Sequence, residues 1–160
     1  MVRFLERVLL KLKNTYDPVA KEKGVMLSVN SLKDLCEEKL YQDREKLSTV
    51  LSHLLDNALK FTKVGTIEVG CGVPEPGWIE LFVQDTGMGI SEKYLDRIFD
   101  CFDMGDSSRN DNYEGAGLGL FISKAYLNSM GGEISVSSNS SAGLTFKFRI
   151  PTVLKMDKED

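Results

Sequence analysis

The chain has 160 residues, 42% of them apolar and 28% charged, with a formal net charge of −4. This composition excludes a wholly disordered chain, and the acidic balance argues against nucleic acid as a partner, since phosphate-backbone binding needs a clustered positive field. At this size roughly 70% of the extended surface is buried on folding, so a single domain with one core is the default. No apolar run approaches the roughly 20 residues of a spanning helix, and Met1-Val2-Arg3-Phe4 does not open a signal-peptide core. Cys36, Cys71 and Cys101 form no C-x-x-C pair and leave at least one thiol unpaired, which fits a reducing, cytoplasmic setting. With one histidine they also argue against a structural zinc site.

In chain order, Phe4, Leu5, Val8, Leu9 and Leu12 fall at helical spacing and predict a helix from Val2 to about Lys23, stopped by Gly24. Residues Val25 to Val29 alternate as a strand, and residues 31–42 read as a connection. Leu47, Val50, Leu51, Leu54, Leu55, Ala58 and Leu59 make the apolar stripe of a second helix, ended by Lys63-Val64-Gly65. Strands from Thr66 to Val73 and Trp78 to Gln84 flank a Pro74-Glu75-Pro76-Gly77 turn. A loop with Gly87 and Gly89 leads to a short helix from Glu92 to Phe99, and the polar stretch Asp103 to Glu114 reads as a mobile loop. An apolar helix then runs to about Met130, capped by Gly131-Gly132. Glu133 to Ser138 and Leu144 to Ile150 predict a closing hairpin, with a charged tail over 152–160. The expected fold class is α/β: a two-layer sandwich of about five strands, mixed but mostly antiparallel, packed on about three helices, with one sheet face exposed.

Three glycine-bearing stations carry the chemistry. The dinucleotide fingerprint fails, because it needs a glycine where Leu120 stands and a strand rather than a polar loop before it. No phosphate loop of the G-x-x-x-x-G-K-[ST] type occurs. Asp85-Thr86-Gly87 matches three residues of the aspartic-protease turn, but Gln84 stands where an apolar residue is wanted. Taken together the stations read differently. Gly115, Gly117 and Gly119 lead into a helix N-terminus, whose unpaired N–H groups suit a polyphosphate. His53, Asn57 and Lys60 lie on one line of the second helix, beside its apolar stripe. A carboxamide oxygen at Asn57 can bind Mg²⁺ while phosphates and water complete the octahedron, and Lys60 offers a point charge.

These residues resemble the ATP-binding catalytic domain of sensor histidine kinases, within the Bergerat-fold ATPase superfamily. His53-Leu54-Leu55-Asp56-Asn57-Ala58-Leu59-Lys60-Phe61-Thr62 is similar to the family's N box, and Asp85-Thr86-Gly87-Met88-Gly89-Ile90 to its first glycine box. Ile98-Phe99-Asp100-Cys101-Phe102 resembles the F box and Gly115-Ala116-Gly117-Leu118-Gly119-Leu120 the second glycine box. Met130-Gly131-Gly132-Glu133-Ile134 and Gly143-Leu144-Thr145-Phe146 match the closing strands. The resemblance implies a Bergerat ATP-binding fold with ATP and Mg²⁺ as cofactors. Asn57 would bind the metal, and Asp85 would accept the adenine amino group. Lys60, Phe61, Gly87, Gly89, Ile90, Leu118, Leu120 and Thr145 would line the nucleotide, and Gly115, Gly117 and Gly119 would bring N–H groups to its phosphates. The stretch Asp103 to Glu114 would be a lid, anchored by Phe99 and Phe102.

The sequence departs from the family in four places. His53 replaces the usual Asn; a neutral imidazole there would hydrogen-bond phosphate or a metal-bound water, and activity would fall as it protonates. The lid carries Asp103, Asp106, Asp111 and Glu114 after Asp100, against Arg109 alone, which implies modest affinity, an absolute need for Mg²⁺ and Arg109 as the lid's phosphate contact. Ser141-Ala142-Gly143 stands for Gly-x-Gly. Lastly, the only histidine is His53, so the phosphoacceptor helix is absent.

The expected protein is thus a protein-histidine kinase catalytic domain over 1–151. It would pass the γ-phosphoryl of ATP to a histidine on a separate dimerisation and phosphoacceptor domain and act indirectly on a response-regulator receiver. The chain would be a monomeric, cytoplasmic fragment without direct membrane contact, of a family whose members are often anchored in the inner membrane. The alternative is a nucleotide-binding or scaffolding module without phosphotransfer. A non-kinase relative would carry Glu at position 53 and a transducer domain.

Overall fold

The computed structural model describes residues 2–30, 42–72, 74–95, 97–100, 116–138 and 143–152. The expected connection over 31–42 apart from Gln42, the lid with Arg109, Phe102 and Gly115, residues 139–142 of the hairpin turn and the tail from 153 onward lie outside the described residues.

The order of elements is α1 (Val2–Lys23), β1 (Val25–Val29), α2 (Arg44–Phe61), β2 (Gly65–Gly72), β3 (Trp78–Asp85), α3 (Glu92–Leu95), α4 (Ala116–Ser129), β4 (Glu133–Ser138) and β5 (Leu144–Pro151). The strands form one sheet in the order β1-β2-β3-β5-β4. Among the described residues only β1 and β2 pair in parallel, as a crossover through α2 requires; the other pairings are antiparallel. This is the mixed α/β sandwich expected, with three long helices and the short α3.

Alternation along the strands divides the sheet into two faces. Ile79, Leu81 and Val83 of β3 and Leu144, Phe146, Phe148 and Ile150 of β5 point inward and are buried. They meet the α2 stripe of Leu47, Val50, Leu51, Leu54, Leu55, Ala58 and Leu59, together with Leu5, Val8, Leu9 and Leu12 of α1 and Leu120 and Leu127 of α4. The opposite face carries charge: Lys147 lies 3.8 Å from Glu80, Arg149 3.5 Å from Glu133, and the Arg149 guanidinium 4.1 Å from the Trp78 ring.

Local chemistry fixes the helix ends. Asp43 caps α2, its carboxylate accepting from Lys46 N at 3.1 Å, and the Lys23 ammonium donates to Leu59 O at the other end, at 2.9 Å. Tyr16 ties α1 to α2 by donating to Asp56 Oδ1 at 2.8 Å; burial and this partner push its pKa up to about 12. Gly131-Gly132 closes α4, with Gly132 N donating to Leu127 O at 2.8 Å and Gly131 N to Asn128 O at 3.1 Å. Burial pushes the Cys71 thiol up to about 12, so it stays protonated and inert.

Three expectations need correction. The helix expected over Glu92 to Phe99 is regular only over α3; beyond it Arg97 and Ile98 donate to Tyr94 O and Leu95 O, three residues back, so the segment tightens into turns. α4 already begins at Ala116, so Gly117 and Gly119 belong to its first turn rather than to a loop before it. Thr152, assigned to the tail, is buried and bonded: its N–H donates to Gly77 O at 2.9 Å.

Candidate functional site

The inward row of β3 ends on a carboxylate. Ile79, Leu81 and Val83 are core, and Asp85, the next residue on that face, is also buried. Its Oδ1 accepts from Gly87 N at 2.9 Å and Leu144 N at 3.3 Å. Burial raises its pKa above the ordinary carboxylate range, and the two N–H groups pull in the other direction. A buried carboxyl with a fixed orientation at a strand end marks a candidate polar recognition point.

Backbone must come close around it. A Cβ on Gly87 would stand 2.4 Å from Phe61 O, and one on Gly143 would stand 2.0 Å from Asp85 O. Neither position has room for any other residue. Met88 N donates to Phe61 O at 3.2 Å, and Thr86 N to Thr66 O at 3.1 Å, so the Asp85-Thr86-Gly87 turn is stitched to the end of α2 and to β2. Gly89 backs onto Gly143.

Asn57, on the last turns of α2, is 6% exposed, and its Nδ2 has no hydrogen-bond partner among the described residues. Thr62 Oγ1, next to Gly87, is likewise buried without one. Orphaned buried polar atoms are rare in a finished core and mark a place completed by something else. A turn before Asn57 the half-buried His53 reaches α4: Nδ1 lies 3.2 Å from Ser123 Oγ, and the ring packs on Gly119. The first turn of α4, with Gly117 and Gly119, presents N–H groups that lack helical acceptors.

The structure thus gathers Asp85, Gly87, Gly89, Gly143 and the Phe61 carbonyl at one place and His53, Gly119 and Ser123 at another, with Asn57 on α2 between His53 and Phe61. Lys60 is exposed at the end of α2 and Leu118 at the start of α4. Ile90 and Leu120 belong to the core, shaping a wall at most. Thr145 does not join the group. It stands on the outward row of β5 with Lys147 and Arg149, so its side chain is across the sheet from Asp85. Leu144, one residue earlier, is the one that meets Asp85, through its backbone N–H. Sequence reading missed Gly143, Leu144 and Ser123; strand alternation alone would have assigned Leu144 to the Asp85 face. Phe99, expected to anchor the lid, is buried edge-to-face on Phe146, with centroids 6.1 Å apart.

Among the described residues no three His, Cys, Asp or Glu side chains cluster to hold a metal. The donor set here, one carboxamide, suits a cation that arrives with its own phosphates and water, as Mg²⁺ does, and not a resident all-protein site.

Known proteins resemble this chain in sequence and fold. The profile of the family described as histidine kinase-, DNA gyrase B-, and HSP90-like ATPase matches residues 42–154, and the chain belongs to that family. Among curated relatives, the autoinducer 2 sensor kinase/phosphatase LuxQ of Vibrio vulnificus is 38% identical over 88% of this chain, and the sensor protein SrrB of Staphylococcus aureus 34% identical over 94%. The chain spans only 17% and 25% of their lengths. Among solved structures, full-length ShkA in complex with AMPPNP superposes with a TM-score of 0.79 at 27% identity, covering 94% of this chain and 31% of that one. The nucleotide-free catalytic domain of histidine kinase ThkA gives 0.79 at 20% identity, covering 94% and 95%, and bears on the fold alone. The family, the sandwich fold and the ATP-binding catalytic-domain character expected from the four boxes therefore hold.

Proposed function

We propose that residues 1–151 form the catalytic domain of a two-component sensor histidine kinase, which transfers the γ-phosphoryl of ATP to a histidine on a separate dimerisation and phosphoacceptor domain. The observation that carries this reading is Asp85: a buried carboxylate at the end of β3, oriented by the backbone N–H groups of Gly87 and Leu144. Asp85 accepts the adenine amino group, and guanine presents an oxygen at that place. The Asn57 oxygen holds Mg²⁺, and the first-turn N–H groups of α4 receive phosphate oxygens. Mg²⁺, when bound, neutralises charge on the phosphates. The residues of this chain supply position and electrostatics, while the nucleophile is the absent histidine. Arg109 and Gly115 are the further phosphate contacts proposed from the stretch before α4. A response-regulator receiver would take the phosphoryl group onward. No helix among the described residues is long and apolar enough to cross a membrane.

Calorimetric titration with a non-hydrolysable ATP analogue, with and without Mg²⁺, tests the site. Asn57→Ala should remove the Mg²⁺ dependence, weaken the metal-loaded analogue about tenfold or more and leave adenosine binding in place. Equal loss for adenosine and triphosphate would assign Asn57 to the fold instead. Incubation with radiolabelled ATP and the parent protein's phosphoacceptor domain tests transfer. Tight nucleotide binding without labelling of that domain would favour the binding-module alternative.

A further inference from the structure

His53 and Ser123 join the two helices that frame the proposed nucleotide site. Ser123 is fully buried in α4, and its hydroxyl faces His53 Nδ1 at 3.2 Å. No other acceptor for that hydroxyl is found among the described residues. A buried O–H without an acceptor costs about 1–3 kcal/mol, so the hydroxyl donates to Nδ1. A neutral imidazole that accepts at Nδ1 carries its proton on Nε2.

The placement of the ring says where that proton points. A Cβ on Gly119 would lie 3.5 Å from His53 Cγ and 3.7 Å from both Cβ and Cδ2, so the base of the ring and its Cδ2 side, not its Nδ1 side, face the first turn of α4. The Nδ1 edge faces Ser123, one turn further along the same helix. Nε2, bonded to Cδ2, is therefore on the side of the α4 N-terminus, and the ring is half-buried. The geometry points to His53 as a phosphate-contacting residue, its Nε2–H donor aimed and tautomer-locked by Ser123. This rests on the nucleotide reading above and deepens it: a rigid donor held by α4 replaces an adaptable side-chain amide, and Ser123 acts only through it.

The chain's single histidine makes the test unambiguous. Long-range proton–nitrogen NMR should find the neutral ring protonated at Nε2, with the Nδ1–H form appearing in Ser123→Ala. In titrations, His53→Ala should weaken the Mg²⁺-loaded non-hydrolysable ATP analogue about tenfold or more and leave adenosine affinity unchanged, with His53→Gln restoring part of the loss. Ser123→Ala should move the same way by less. An Nδ1–H ring in the parent protein, or equal effects of His53→Ala on adenosine and triphosphate, would overturn the assignment and leave a packing role. Unchanged triphosphate affinity in His53→Ala would overturn it as well, with the nucleotide site intact. Failure of the parent to bind adenosine or triphosphate would instead overturn the nucleotide reading, and this inference with it.

Discussion

Asp85→Asn should lower the affinity for an adenine nucleotide by about a hundredfold or more while leaving the free protein at least as stable as the parent at neutral pH. Both halves follow from one geometry. Oδ1 is held by the N–H groups of Gly87 and Leu144, so in the variant the amide oxygen takes that place. The NH₂ group then occupies the site of the second oxygen and meets the adenine amino group donor to donor. A lost hydrogen bond to a charged acceptor accounts for about 10- to 100-fold, and the opposed donors add to it. Stability moves the other way. Burial raises the Asp85 pKa in the folded state, so the carboxyl stabilises the fold fully only below its unfolded value, about 4, and that contribution is lost as pH rises through the raised value. The amide has no such loss. The melting temperature of the variant relative to the parent should thus be near zero difference at acid pH and positive or unchanged at pH 7. A variant that melts well below the parent at pH 7 would make Asp85 a structural carboxylate.

Gly143→Ala should destabilise the fold by about 3 kcal/mol or more, and lower the melting temperature by about 10 °C. Gly143 has φ +92°, which L side chains rarely adopt, and its Cβ would fall 2.0 Å from Asp85 O and 2.9 Å from Asp85 Oδ1. The neighbour is backbone in a central strand, so nothing can swing aside. Relief requires β5 to part from β3, which also pulls Leu144 N away from Asp85. Calorimetric melting and nucleotide titration should therefore fall together. A melting temperature within a degree or two of the parent would show that Gly143 is held less closely to Asp85 than this geometry requires.

Much of this was legible in the sequence because regular patterns carry it. The α2 stripe from Leu47 to Leu59, the alternation of β3 and β5, and Gly24 after α1 fix elements whose bounds agree within a few residues. The candidate site was legible where motifs carry it: Asp85 through the first glycine box, and Asn57 through the N box and its place beside the apolar stripe of α2. Contacts made by backbone were not. Leu144 reaches Asp85 through an N–H that any residue but proline would supply, so its identity carries no signal. Thr145 is expected at the nucleotide only through the resemblance of Gly143-Leu144-Thr145-Phe146, and alternation assigns it to the other face. The His53–Ser123 pair spans α2 and α4, and no local spacing relates two such residues. The start of α4 was misjudged for a different reason: glycine at 117 and 119 disfavours helix locally, and packing against α2 overrides it.

The central claim is that Asp85 makes this a site for adenine, and paired calorimetric titrations with non-hydrolysable ATP and GTP analogues in Mg²⁺ test it most directly. Binding of the ATP analogue with the GTP analogue weaker by about a hundredfold or more is the predicted result, because a carboxylate acceptor opposes the guanine oxygen. Equal affinity for the two analogues, or no binding of either, would contradict it.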